Sequence, residues 1–135
     1  MRALGDKELI SINKAVGGGG DLRHPALLGA VQATVYGRGF GKDLHPALAD
    51  KAAALILGIV QLRPFADANE RTALTAATLL ARINGQRIVW VSHTESVAFV
   101  RAVATGHPPL SWIATRIAAR LRPTETRPPK PPTIR

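Results

Sequence analysis

The sequence predicts an all-α domain of about six helices with one short β-like segment. Three observations predict it. Apolar residues recur at helical spacing through most of the chain. Pro and Gly stand where helices begin and end. Aromatics are only 4% of the residues while hydrophobic residues are 46%, so the core is built from Ala, Leu, Val and Ile, which favours close-packed helices over a β-sandwich.

Asp6 is placed to cap a first helix, in which Leu9, Ile12 and Val16 share a face. Gly17 to Gly20 end it and predict a mobile loop, since four glycines carry a large entropy cost in any fixed conformation. No strand precedes these glycines and no Gly-Lys-Ser/Thr follows, so the case for a phosphate loop there is weak. Pro25 opens a second helix to Tyr36, followed by a flexible Gly37–Gly41 loop. Pro46 opens a third helix, to about Leu62, whose apolar residues crowd all round and predict a buried central helix. Pro64 stops it and biases Arg63 towards extended backbone. A fourth helix runs from Asn69 or Glu70 to Ile83, with Asn84-Gly85 as its stop. Arg87–Val91 is the strand-like run. Ser92-His93-Thr94-Glu95 reads as a capping box for a fifth helix, and Ser111 as the cap of a sixth.

At 135 residues the chain reads as one domain, 1–121, with a Pro/Arg-rich tail over 122–135 that has too few apolar residues to fold. There are no cysteines, which excludes disulfides and thiolate metal sites and is consistent with a cytoplasmic protein. No apolar run approaches the ~20 residues of a membrane helix, and the N-terminus lacks a signal-peptide core. Net charge is +9, from 18 Lys+Arg against 9 Asp+Glu, and much of the excess lies beyond Arg116. That balance suits phosphate-bearing partners. It also suits a plain solvated tail. A nucleic-acid interface would want a basic recognition helix, zinc ligands or stacked aromatics, none of which the sequence offers.

The segment Leu62-Arg63-Pro64-Phe65-Ala66-Asp67-Ala68-Asn69-Glu70-Arg71-Thr72-Ala73 lies between the third and fourth helices. A helix N-terminus after Ala68 would leave N–H groups unpaired, a ready anion site. Ala68 is small enough to let phosphate approach the backbone. Asn69 is suited to cap the helix or donate to phosphate, Arg71 to pair with it through its planar fork, and Asp67 to hold Mg²⁺. Phe65 would turn inward. The same residues have an ordinary reading, with Asp67 and Asn69 as loop and capping residues and Arg71 as a surface charge.

This segment resembles the signature of the Fic/Doc family, His-Pro-Phe-x-Asp-Gly/Ala-Asn-x-Arg. Pro64, Phe65, Asp67, Ala68, Asn69 and Arg71 agree with it, and Ala68 with Thr72-Ala73-Leu74 points to the Doc branch. The likeness extends over about residues 5–121. It implies a helical Fic fold and an enzyme that transfers AMP or phosphate from a nucleotide to a protein hydroxyl, with ATP and Mg²⁺ as cofactors. By resemblance Asp67 is the Mg²⁺ ligand, Ala68, Asn69 and Glu70 lie on the anion-binding turn, and Arg71 contacts the nucleotide phosphates. Arg63 stands where the family has its His base. Guanidinium carries its proton throughout the working pH range of proteins and does not serve as a general base. Glu70 replaces the Lys common in Doc proteins. His24, His45, His93 and His107 lie elsewhere in the sequence.

Three readings follow from the resemblance. One is a phosphate-binding Doc-like protein without the ordinary base. Another is a catalyst acting on a small molecule, with Arg63 as a fixed cation. The third is an inactive module engaging an antitoxin-like partner. Doc proteins are restrained by a second protein, and this chain has no internal Ser/Thr-x-x-x-Glu-Gly/Asn motif for self-inhibition.

Overall fold

A computed structural model describes residues 1–39 and 41–124. The described part is mostly helical, with helices α1 (Asp6–Ala15), α2 (Pro25–Tyr36), α3 (Leu48–Leu62), α4 (Asn69–Ile83), α5 (His93–Gly106) and α6 (Leu110–Arg120). Four short strands make two antiparallel pairs, β1 (Arg38–Gly39) with β2 (Lys42–Asp43) and β3 (Gln86–Ile88) with β4 (Leu121–Pro123).

Helix α3 is the central helix that its all-round apolarity predicts. It packs against α2, α4, α5 and α6. Its buried face includes Ala52, Ala53, Ala54, Leu55, Ile56 and Ile59, and α4 meets it with Ala73, Ala76, Ala77 and Leu80. Alanines on both sides let the two helices approach closely. A Cβ at Gly58 would sit 3.1 Å from Thr34 Oγ1, so glycine sets the α2–α3 spacing.

Several sequence expectations are corrected. Gly5, not Asp6, holds the cap position of α1, and the Asp6 carboxylate accepts from Gln32 Nε2 instead. Helix α3 begins at Leu48, two residues past Pro46, and α6 begins after Pro109 rather than at Ser111. The glycine run is held in turns. Gly18 N–H donates to Asn13 O and Gly20 N–H to Asn13 Oδ1, at 2.8 Å each. A Cβ at Gly18 would collide with the Asn13 amide.

The segment after α2, expected as a loop, carries the β1–β2 hairpin. Asp43 of β2 accepts from the buried Lys51 Nζ at 2.8 and 2.7 Å, which pins the hairpin to α3. That ammonium, together with the His45 N–H, holds the Asp43 carboxyl below its ordinary pKa.

Strand β3 is shorter than the Arg87–Val91 run. Val89 N–H turns to Arg120 O, and Val91 N–H to the Glu95 carboxylate. Its partner is β4, with Arg87 opposite Arg122 and Ile88 opposite Leu121. Residues 122–124 of the expected tail thus continue the fold, and 125–135 lie outside the described residues. No helix among the described residues is long and apolar enough to cross a membrane.

Candidate functional site

The loop between α3 and α4 is fastened at both ends by backbone that only special local bonding stabilises. Arg63, expected to be extended, is left-handed at φ 48° and closes α3 through its N–H to Ile59 O at 3.0 Å. The local bias from Pro64 is overridden by Arg23. Its guanidinium donates to Arg63 O at 2.6 Å and to Leu62 O at 2.9 Å, placing a cation on the α3 C-terminus. Ala68 is left-handed as well, at φ 61°, and is the residue from which α4 departs. Non-glycine residues in this region carry strain that concentrates where backbone must be aimed.

Three further connections hold the loop. Leu22 and Phe65 form an antiparallel bridge, flanked by Arg23 N–H to Pro64 O and Ala66 N–H to Asp21 O, both 2.8 Å. Phe65 is fully buried, as its sequence context implies. Asn69 is buried too, and its amide pairs with Phe65 in both directions, Oδ1 accepting from Phe65 N–H at 3.0 Å and Nδ2 donating to Phe65 O at 2.9 Å. The Asn69 side chain therefore positions the loop. It does not cap α4.

Helix α4 starts with no side-chain cap. Thr72 N–H is bonded to Ala68 O at 2.9 Å. The N–H groups of Asn69, Glu70 and Arg71 precede it and have no carbonyl one turn back, so the helix presents unpaired donors and the positive end of its dipole. These groups open into a cleft of about 510 Å³ lined by Arg63, Asp67, Ala68, Glu70, Arg71 and, from α5, His93, Val97 and Arg101. Asp67 Oδ1 accepts from Ala68 N–H at 2.8 Å, which orients the carboxylate at the mouth of the turn. Arg71 Nε donates to Val16 O at 3.0 Å, tying it to the end of α1. Glu70 pairs with Arg101 Nε at 3.3 Å.

Sequence reading missed three residues. Asn13 is fully buried and joins four segments. Its Nδ2 donates to Asp67 O at 2.9 Å and Thr72 Oγ1 at 3.0 Å, while its Oδ1 takes the Gly20 N–H. The signal was present, because Asn13 is four residues after Leu9 on the apolar face of α1, and a polar group there needs partners. His93 lines the cleft, whereas His24, His45 and His107 do not. Arg101 is the third missed residue, and nothing local marks it. Among the described residues no cluster of three His, Cys, Asp or Glu could hold a metal.

The chain is similar to known proteins at the level of a family and of an individual relative. The sequence model of the Fic/DOC family matches residues 5–81. Over 122 residues the chain is 35% identical to the protein named Toxin Doc of Mycolicibacterium smegmatis (strain ATCC 700084 / mc(2)155), covering 84% of this chain and 89% of that one.

Proposed function

The chain belongs to the Fic/DOC family, and on that premise we propose that its cleft binds nucleotide phosphates, ATP in the first place, at the uncapped N-terminus of α4. The observation that carries the reading is convergence. Unpaired helix N–H groups, the guanidinium-bearing Arg63, Arg71 and Arg101 and two carboxylates, Asp67 and the Arg101-paired Glu70, share a single cleft. Arginine and helix N-termini are the usual phosphate donors of proteins.

Mg²⁺ fits this donor set. It keeps several waters and asks for one or two carboxylates beside the substrate phosphates. Asp67 Oδ1 is engaged by Ala68 N–H, and its second oxygen has no hydrogen-bond partner among the described residues. Asp67 would hold the ion. Bound there, Mg²⁺ would neutralise phosphate charge and polarise the phosphoryl group. Arg71 and the α4 N–H groups orient the phosphates. Arg63, at the position of the family's base, contributes a fixed positive charge and no proton acceptor. The activity we propose to be weakened or lost is transfer of AMP or phosphate to a protein hydroxyl. The relative's name is that of a toxin, so a restraining antitoxin-like protein is the corresponding partner to propose.

The substitution Arg63→His tests this reading. Transfer of label from ATP onto a protein hydroxyl is expected to appear or rise. Loss of an activity already present in the unaltered protein would instead favour the small-molecule catalyst that uses Arg63 as its cation. No change in either assay would mean that position 63 does not decide activity.

A further inference from the structure

One wall of the cleft comes from outside the α3–α4 loop. Helix α5 contributes His93, Val97 and Arg101, spaced four residues apart and so stacked on one helical face. Arg101 Nε reaches Glu70 Oε1 at 3.3 Å. Glu70 sits in the first turn of α4, where its charge suits the helix dipole yet repels any anion approaching the same N–H groups.

The contact is loose. The Arg101 side chain keeps 67% of its surface exposed and that of Glu70 keeps 31%. By contrast, Arg120 grips Glu95 with two hydrogen bonds, at 2.9 and 2.6 Å. Exposed pairs with one approach hold weakly and exchange readily. A polyphosphate offers Arg101 more negative charge than a carboxylate does, with oxygens that match the guanidinium fork.

We propose that Arg101 is a phosphate-binding cation of this cleft, partnered by Glu70 until a polyphosphate arrives and then transferred to the ligand. This rests on the nucleotide-phosphate reading above. It adds a selectivity device, since an incoming anion must outcompete a carboxylate already in the cleft. Pyrophosphate-bearing ligands meet that demand, and singly charged anions do not. When the ligand takes Arg101, Glu70 swings clear of the helix N-terminus, so one exchange supplies a cation and relieves a repulsion.

The test is a double-mutant cycle read by calorimetric titration of the full chain with magnesium pyrophosphate. Arg101→Ala is expected to weaken binding about tenfold, as loss of a charge-assisted hydrogen bond does. Glu70→Gln should tighten it about threefold, and that gain should shrink in the Arg101→Ala background, where only the direct repulsion of the ligand by Glu70 is left to relieve. Both side chains face solvent, so melting temperatures should change little. Unaltered affinity in Arg101→Ala, with Arg71→Ala impaired, would overturn the proposal and leave the phosphate site standing. An equal gain from Glu70→Gln in both backgrounds would also overturn it, because Glu70 and Arg101 would then act on the ligand independently. Failure of the unaltered protein to bind pyrophosphate would remove the phosphate site itself and the proposal with it.

Discussion

The cleft has two walls, and they are held differently. On the α1 side, Asn13 bonds the glycine turn, the Asp67 carbonyl and Thr72, while Arg71 is tied to Val16. The three Asn13 bonds are buried or partly buried, and the Arg71–Val16 bond is exposed. On the α5 side, the polar link to α4 at the site, among the described residues, is the pair of Arg101 with Glu70. A buried network rigidifies what it touches, and an exposed pair does not. One wall therefore fixes the helix N-terminus and the Asp67 backbone by hydrogen bonds, and the other, packed by the apolar face of α5, leaves the Arg101 and Glu70 side chains loosely paired.

The most drastic way to break the comparison is to remove the floor beneath both walls. Phe65 is fully buried and takes both amide bonds of Asn69. Phe65→Ala should destabilise by about 3–5 kcal/mol in denaturant titration, with the loop losing its aim on either side.

Asn13→Ala attacks the fixed wall alone. It strips Gly20 N–H, Asp67 O and Thr72 Oγ1 of a partner at once. A loss of about 2–3 kcal/mol is expected, with weaker ligand binding even though Asn13 itself is not among the residues lining the cleft. Equal stability with intact binding would show that the junction does not matter.

The smallest effect sharpens the contrast through pH. Glu95, near the start of α5, is held below its ordinary pKa chiefly by hydrogen bonds from Arg120 and also by the Val91 N–H. Its stabilising contribution is complete above the ordinary carboxylate value, near ~4.3. It is lost as pH falls through the lowered folded value. The α1 junction is made of amide, hydroxyl and backbone groups that do not titrate there. Amide exchange measured down the acid range should show α5 loosening first, while the Asn13 junction keeps its protection. Simultaneous opening would deny the difference between the walls.

Much of this arrangement is legible in the sequence because its signals are local. Pro25 fixed the start of α2, and Asn84-Gly85 the end of α4. The crowded apolar residues of α3 announced the central helix. What escaped depends on distant partners. The β3–β4 pair joins segments separated by two helices. The β1–β2 hairpin relies on Lys51 reaching back to Asp43. Arg63 takes a left-handed conformation that its proline neighbour argues against, because Arg23 bonds the carbonyl ends of α3. At the site, the α3–α4 loop was readable from its own residues, while Arg101 and His93 enter the cleft only through the packing of α5.

Calorimetric titration with ATP, with and without Mg²⁺, tests the phosphate site most directly when repeated on Asp67→Ala and Arg71→Ala. Arg71 is exposed, so its removal should alter stability by no more than about 0.5 kcal/mol. The expected result is Mg²⁺-dependent binding that both substitutions weaken. Absence of binding by the folded protein, or binding indifferent to both residues, would contradict a phosphate site at the start of α4.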